Sequence, residues 1–516
     1  MTAAKVRPYH APVWSEPLIH ELGAKGERGV IPPQVEPEIQ EAVGSADSLI
    51  PKGMKRKEPP GLPEISQPQA IRHWLRLSQM TLGMEMGIDL GVGTCTMKYS
   101  PKVNEELAAI VAGIHPDQPE ETMQGLLEVA WRFGDIYLRE ISGMDAFTFQ
   151  PPGGSAGAFN NAVIMRKYYE ERGELTQRDE VITTIFSHPC DAACPATVGF
   201  KVVTLYPDDE TGYPSVEALK AAVSKRTAGI FVTNPEDTGI FNPHIDEWTK
   251  IVHEEGGLCS YDQANLNGVM GVTRARDAGF DMSFFNLHKT FGSPHGSSGP
   301  GSGAVGVTED LAKYLPIPVI VKRGERYHLD YDRPHSIGRV RDFLGNLQVV
   351  VRAYAWAAAM GADGLREAAE ISMLNNQYLS ERMKDVPGVT KPYGGRRLDQ
   401  VRWSLEKLKT ETGCGINEVN RRVVDYGVQS YFTSHHPWVV PEPFTPEPCE
   451  TYSKADIDYW IAVLKRVCEE AYEDPETLKK APHNSSIHAI DSAPFDDPER
   501  WAMSWKAYRR KMKRKG

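Results

Sequence analysis

The chain has 516 residues, a formal net charge of −11, 41% hydrophobic and 25% charged residues, and seven cysteines. That length supports a large core in two or three domains, and the acidic balance argues against nucleic acid as a partner of the body of the protein. No run is apolar enough to span a bilayer, and an odd, scattered set of cysteines points to free thiols in a reducing cytoplasm.

Residues 1–67 are rich in Pro, Gly and charge, yet Trp14, Leu18, Ile19, Leu22 and Ile31 need cover. The segment is therefore predicted as an extended arm lying on the body or on a partner subunit, rather than as disordered chain. A helix is predicted over 68–82, then a glycine-rich loop up to Tyr99. Helical spacing resumes at Glu105 and is clearest over 123–141.

Phe147 to Gln150 reads as a strand running into Pro151-Pro-Gly-Gly-Ser-Ala-Gly-Ala158, with a helix over about 158–172. A strand, a small-residue loop and a helix start bring free N–H groups together at a positive dipole, which suits an anion. Gly154, Ser155 and Ala156 are the candidates there, although glycine is common in such turns. The next strand, 181–186, carries His188 at its tip. His188, Cys190, Asp191 and Cys194 cluster in sequence, but no paired motif at zinc-site spacing accompanies them, and no metal is predicted. A strand over 201–206 and a helix over 215–223 continue the alternation.

Three apolar runs then end on polar tips at intervals of one strand–helix–strand unit. The first, from Gly229, ends at Asn234; the second, from Gly257, ends at Asp262; the third, from Phe280, leads to His288 and Lys289. This spacing predicts Asn234, Asp262 and Lys289 at the carboxyl edge of one parallel sheet, where open α/β sheets bind ligands. Burial there is expected to lower the lysine's ammonium pKa and suit it to Schiff-base chemistry. A surface lysine that merely ends a strand is the plainer alternative. An aspartate facing a pyridine nitrogen, with a lysine holding an aldehyde, is the pairing that pyridoxal phosphate needs. A loop rich in Gly and Ser over 292–303 follows as a plausible lining or lid. Next come a returning strand at 303–307, a hairpin over 316–331, and helices near 342–361 and 364–384. Helices over 416–426 and 453–473 follow, with short β segments such as 397–405.

Asp262-Gln-Ala-Asn-Leu-Asn267, Asn286-Leu-His-Lys-Thr-Phe291 and the Pro294-His-Gly segment together resemble the second subunit of the split glycine cleavage system P protein. Gly93-Thr-Cys-Thr-Met-Lys-Tyr99, Ile71 to Ser78 and Leu329 to Arg339 extend the likeness over nearly the whole chain. The resemblance implies an α/β protein of the pyridoxal-phosphate fold type I. Such a protein has a mostly parallel seven-stranded sheet in a large domain (68–340), a smaller α+β domain (341–480), the arm (1–67) and a tail (481–516). It also implies a cytoplasmic enzyme that decarboxylates glycine and passes the aminomethyl group to the lipoyl arm of the H protein, working with a first subunit in an α2β2 assembly.

Carried over residue by residue, the likeness makes Lys289 the covalent anchor of the cofactor and Asp262 the partner of its ring nitrogen. His188 stacks on the ring, and His288 serves the phosphate or shuttles protons. Ala264, Asn234, Gly154, Ser155 and Ala156 complete the cofactor contacts. Thr94, Cys95, Thr96 and Lys98 match a loop near the substrate channel. Two segments depart from the family pattern, Pro189 to Cys194 and Glu236-Asp-Thr238. The second introduces carboxylates that either repel a carboxylate substrate or point to solvent. These departures keep two other readings open: a homologue acting on another small amino acid or amine, and a scaffold subunit without chemistry. Arg396, Arg397 and Arg402 are the candidates for gripping a substrate carboxylate.

Overall fold

The computed structural model describes residues 4–58, 60–83, 86–90, 95, 98–293, 300–429, 433, 439–486, 489, 502 and 504–515. The chain forms two compact units, one of residues 1–7 with 84–479 and one of residues 8–83 with 480–516.

The larger unit is built on a seven-stranded sheet. Its strands are β1 (Ala146–Thr148), β2 (Glu180–Thr184), β3 (Lys201–Leu205), β4 (Thr227–Thr233), β5 (Leu258–Asp262), β6 (Met282–Asn286) and β7 (Gly303–Val307). They lie in the order β1-β7-β6-β5-β4-β2-β3. β7 is antiparallel to both of its neighbours, and the other pairings are parallel. The mostly parallel seven-stranded sheet is the one expected.

Every residue of β5, β6 and β7 is buried, as in a sheet covered on both faces. Strand alternation divides the apolar side chains between two cores. Phe284, Phe231 and Met282 face the helix Gly154–Glu171 with its Ala158, Ala162 and Met165. Phe285, Ile230 and Tyr261 face the opposite layer, with Trp248, Val252 and Phe291.

The helix read over 123–141 runs as Gln124–Arg132, widens into a π-helical turn at Phe133–Leu138, and ends as Arg139–Ser142. The helix predicted from about 158 begins four residues earlier, because Gly157 N–H already donates to the Gly153 carbonyl at 2.9 Å. The hairpin is β8 (Val319–Arg323) with β9 (Arg326–Asp330). The two predicted helices after it are Leu347–Met383, interrupted at Gly361, whose φ of 66° leaves the helical region.

A third core, of Leu90 together with residues between Leu379 and Leu478, centres on the helices Ile416–Val423 and Lys454–Glu473. It contains β10 (Trp403–Ser404) paired with β11 (Pro443–Phe444). The β segment expected over 397–405 is confined to its last residues. Leu398 and Arg402 instead give their backbone N–H groups to Gly239 and Thr238 in the loop after β4.

In the second unit the arm carries one short α-helix, Pro37–Val43, and the helix expected over 68–82 is Gln67–Gln79. It is tied to the C-terminal stretch by a hydrogen bond from Ala11 N–H to Asn484 O and by His20 stacked on Trp505. Glu16 accepts from His73 and Arg76 within the same unit. No described helix is long and apolar enough to cross a membrane, and all seven cysteines are free.

Candidate active site

Parallel pairing sets Asp262 opposite Thr233 on one side and Phe284 on the other. The ends of β4, β5 and β6 thereby bring Thr233, Asp262 and Lys289 to one edge. A cavity there is lined by His188, Thr233, Pro235, Asp237, Asp262, Ala264, Asn265, Lys289, Asp399 and Gln400. Lys289 is 6% exposed and Asp262 3%. The strand-end lysine is thus a buried group inside a cleft.

Its ionisation differs from the sequence expectation. Burial works to lower the Lys289 ammonium, but Cys95, Asp262, Glu447 and Asp237 act against it, and the net shift is upward. The lysine rests as a charged ammonium among acids. Asp262 is itself pushed up, to about 6, chiefly by burial, while the Ala264 N–H and Lys289 favour its charged form. Ala264 N–H donates to Asp262 Oδ1 at 2.8 Å, so the residue after the strand's end fixes the carboxyl's orientation.

His188 receives the Cys190 N–H on Nδ1 at 3.1 Å, which puts the proton of a neutral ring on Nε2. His188, Cys190 and Asp262 offer ligand atoms within 4.8 Å of one another. Burial pushes the Cys190 thiol up, so it stands there as a neutral thiol. Residues 190–197 form the helix Cys190–Thr197. Its first turn buries Asp191, which accepts from Thr233 Oγ1 at 3.0 Å and is pushed well up by burial and by nearby Asp262. Cys194 donates instead to the Ser155 carbonyl.

The start of the helix Gly154–Glu171 closes the other side. A side chain at position 154 would put Cβ 2.8 Å from Asn286 Nδ2 and 3.4 Å from Ala264 Cβ, so only glycine lets the first turn approach the sheet edge. One at position 301 would meet the Pro152 carbonyl at 2.6 Å and the His288 ring at 3.2 Å. His288 Nδ1 accepts from Ser302 N–H at 3.1 Å. In this corner Asn286 Oδ1 and Ser302 Oγ are buried without a hydrogen-bond partner among the described residues. The N–H groups of Gly154, Ser155 and Ala156 have no partner within their own helix, as for any helix start. Unmatched donors, a neighbouring imidazole and a glycine-lined approach fit a phosphate.

The remaining predicted residues have other surroundings. Asn234 is buried, and its side chain is engaged with Asn242, accepting its N–H at 2.8 Å. Lys98 is buried, paired with Glu450 at 2.8 Å and lying over the Trp356 ring. Cys95 acts on the Lys289 charge; Thr94, Thr96 and residues 294–299 of the 292–303 loop lie outside the described residues. Of the three arginines, Arg396 is exposed, Arg397 is buried against backbone carbonyls of Thr238 and Gly394, and Arg402 pairs with Asp237 at 3.2 Å.

Glu236 and Asp237 are both buried, so neither of these family departures points to solvent. Asp399 and Glu447 are further acids at the site that the sequence did not single out. They lie more than a hundred residues beyond Lys289 in regions with no motif, and only the folded chain brings them near. Asn265, within the Asp262–Asn267 motif, donates to Glu447 at 2.6 Å.

The sheet order and the lysine–aspartate edge belong to the α/β class of pyridoxal-phosphate fold type I. In agreement, the fold matches a crystal structure of glycine decarboxylase (P-protein) of the glycine cleavage system in inhibitor-bound form. That match has a TM-score of 0.70, 20% identity, and coverage of 85% of this chain and all of that one. Residues 169–268 match the DegT/DnrJ/EryC1/StrS aminotransferase family. The probable glycine dehydrogenase (decarboxylating) subunit 2 of Pyrococcus abyssi is 43% identical, over 98% of this chain and 99% of its own. That of Thermococcus onnurineus is 44% identical over 98% of each, and that of Caldanaerobacter subterraneus 39% over 92% and 96%. The chain belongs to the glycine dehydrogenase (decarboxylating) subunit 2 family.

Proposed function

We propose that this protein is the pyridoxal-phosphate-bearing subunit of a glycine decarboxylase, releasing CO₂ from glycine and delivering the aminomethyl group to the lipoyl arm of an H protein. The observation that carries this reading is the burial of Lys289 and Asp262 together at one sheet edge, beside His188 and within reach of a phosphate-suited helix start. The bound cofactor supplies an aldehyde that condenses with amines and a ring that accepts the electron pair left when CO₂ departs.

The chain's own groups divide the remaining tasks. Lys289 is the anchor, and its surrounding acids mean that a proton must leave its ammonium before it reacts as an amine. Asp262 keeps a proton on the ring nitrogen, and the Ala264 N–H holds the carboxyl in place for this. His188 covers the ring face. The N–H groups of Gly154, Ser155 and Ala156 hold the phosphate, with His288 beside them. Cys95 and Lys98 belong to the approach to the site. The name "subunit 2" borne by the relatives supports a first-subunit partner, for which an α2β2 assembly is the expected form.

The test is exchange of ¹³C-labelled bicarbonate into glycine, with pyridoxal phosphate, first subunit and H protein present. Label should enter the glycine carboxyl. Lys289→Ala should lower exchange by at least about a thousandfold and abolish the borohydride-reducible adduct. Normal cofactor absorbance without exchange in any combination would move the reading to another small amine or amino acid. Failure to form any adduct would remove the enzymatic reading.

A further inference from the structure

The departure at 236–238 finds its partner in Arg402. Arg402 and Asp237 are both buried, with Nη2 and Oδ2 3.2 Å apart. Asp237 is anchored from below by its N–H, which donates to the Phe186 carbonyl at 3.1 Å at the end of β2. The guanidinium lies 5.9 Å from the Phe186 ring centre, and its Nε is buried without a hydrogen-bond partner among the described residues. Asp237 lines the same cavity as Lys289, Asp262 and His188. Arg402, one of the three arginines that are candidates to receive a substrate carboxylate, thus already has one Nη of its planar fork engaged by a carboxylate of the chain itself.

We propose that Asp237 is a specificity-determining residue that competes with the substrate's carboxylate for Arg402 and so weakens the grip on the group that leaves. The proposal rests on the reading above of an amino acid substrate. An incoming carboxylate meets Asp237 and Asp399 as like charges and has to share or displace the fork. In the step itself the bond between the α-carbon and the carboxyl carbon breaks. CO₂ leaves neutral, and the electron pair stays on the α-carbon side, where the bound cofactor would take it up. Negative charge thus vanishes from the carboxylate as the transition state forms. A tight ion pair to the ground-state carboxylate would be lost along the way and would slow cleavage, whereas a weak one lowers affinity and spares the rate.

The experiment compares glycine with glycinamide, its uncharged analogue, at matched concentrations of free amine. The probe is the cofactor-loaded protein with its first subunit, and equilibrium binding is measured by calorimetry. Asp237→Asn should tighten glycine about tenfold and move glycinamide by less than about twofold. In bicarbonate exchange the same variant should lower KM and kcat together. Equal glycine affinity in wild type and variant, or tightening of both ligands alike, would overturn the proposal. The unmodified protein gives a second measure that does not depend on the variant folding. It should bind glycinamide about as well as glycine, and a preference for glycine above about tenfold would also overturn the proposal. If wild type binds neither ligand and shows no exchange, the glycine reading fails first and takes this inference with it.

Discussion

Asp262 and Lys289 stand at the same end of two neighbouring parallel strands, both buried, and each acts on the other's proton. Lys289 favours the carboxylate of Asp262, and Asp262 favours the ammonium of Lys289. Because a charged lysine cannot attack an aldehyde, this mutual hold contributes, with burial, Cys95 and the other nearby acids, to the pH at which the cofactor is captured.

Asp262→Asn removes one of the acids that keep the ammonium charged. The pH at which cofactor capture sets in should therefore shift downward, followed as growth of absorbance after adding pyridoxal phosphate to the stripped protein. The variant should still form the borohydride-reducible adduct, while exchange falls by about a hundredfold or more because the ring nitrogen has lost its anionic partner. An unshifted onset with undiminished exchange would show that the two groups do not act on one another.

Glu236 gives a pH effect on stability. Burial pushes its carboxyl up to about 8, although Thr184 Oγ1 donates to it at 2.5 Å and favours the charged form. The folded protein therefore holds this proton more tightly than the unfolded chain. The contribution is most favourable at pH below the ordinary value near 4.5, and it declines as pH rises through the folded value. Glu236→Gln keeps the shape and the Thr184 bond but cannot ionise. Chemical unfolding at pH 5 and pH 8.5 should show the variant gaining on wild type at the higher pH, by on the order of a few kcal/mol. An identical difference at the two values would contradict the assignment.

Arg422 holds the C-terminal core. It donates to Glu470 at 2.8 Å, to Asp425 at 2.7 Å and to the Tyr426 hydroxyl at 2.9 Å, and both acids are buried. Arg422→Ala should cost about 3 kcal/mol in denaturant unfolding, because it leaves two buried carboxylates without that cation. Arg422→Lys should recover only part of this, since one ammonium cannot reach three partners as a planar fork does. A loss below about 1 kcal/mol for Arg422→Ala would show that the network is not structural.

The parts of the fold that were legible in the sequence are those in which one short segment carries its own signal. The apolar runs ending at Asn234, Asp262 and Lys289 could be placed on a sheet edge because fully buried parallel strands are continuous in hydrophobicity. The returning strand Gly303–Val307 was legible for the same reason. Pro195 weakens the local signal of the helix Cys190–Thr197, since proline is disfavoured in a helix interior. The upward shift at Lys289 could not be read either, because it is the joint effect of Cys95, Asp262, Glu447 and Asp237, which only folding gathers around the ammonium. The pairing of Asp237 with Arg402 has the same origin, being a contact between two loops far apart in the chain.

The antiparallel course of β7 has a consequence for how the protein is made. Gly301 and Gly303, which seat against Pro152 and Pro151, come after Lys289 in the chain. A nascent polypeptide emerging from the ribosome thus displays the reactive amine and its aspartate before the corner around Gly154 is complete. The cavity itself is not fully lined until Asp399 and Gln400 have also been translated, so a message truncated soon after Lys289 yields a chain bearing the nucleophile without a complete berth for the phosphorylated vitamer.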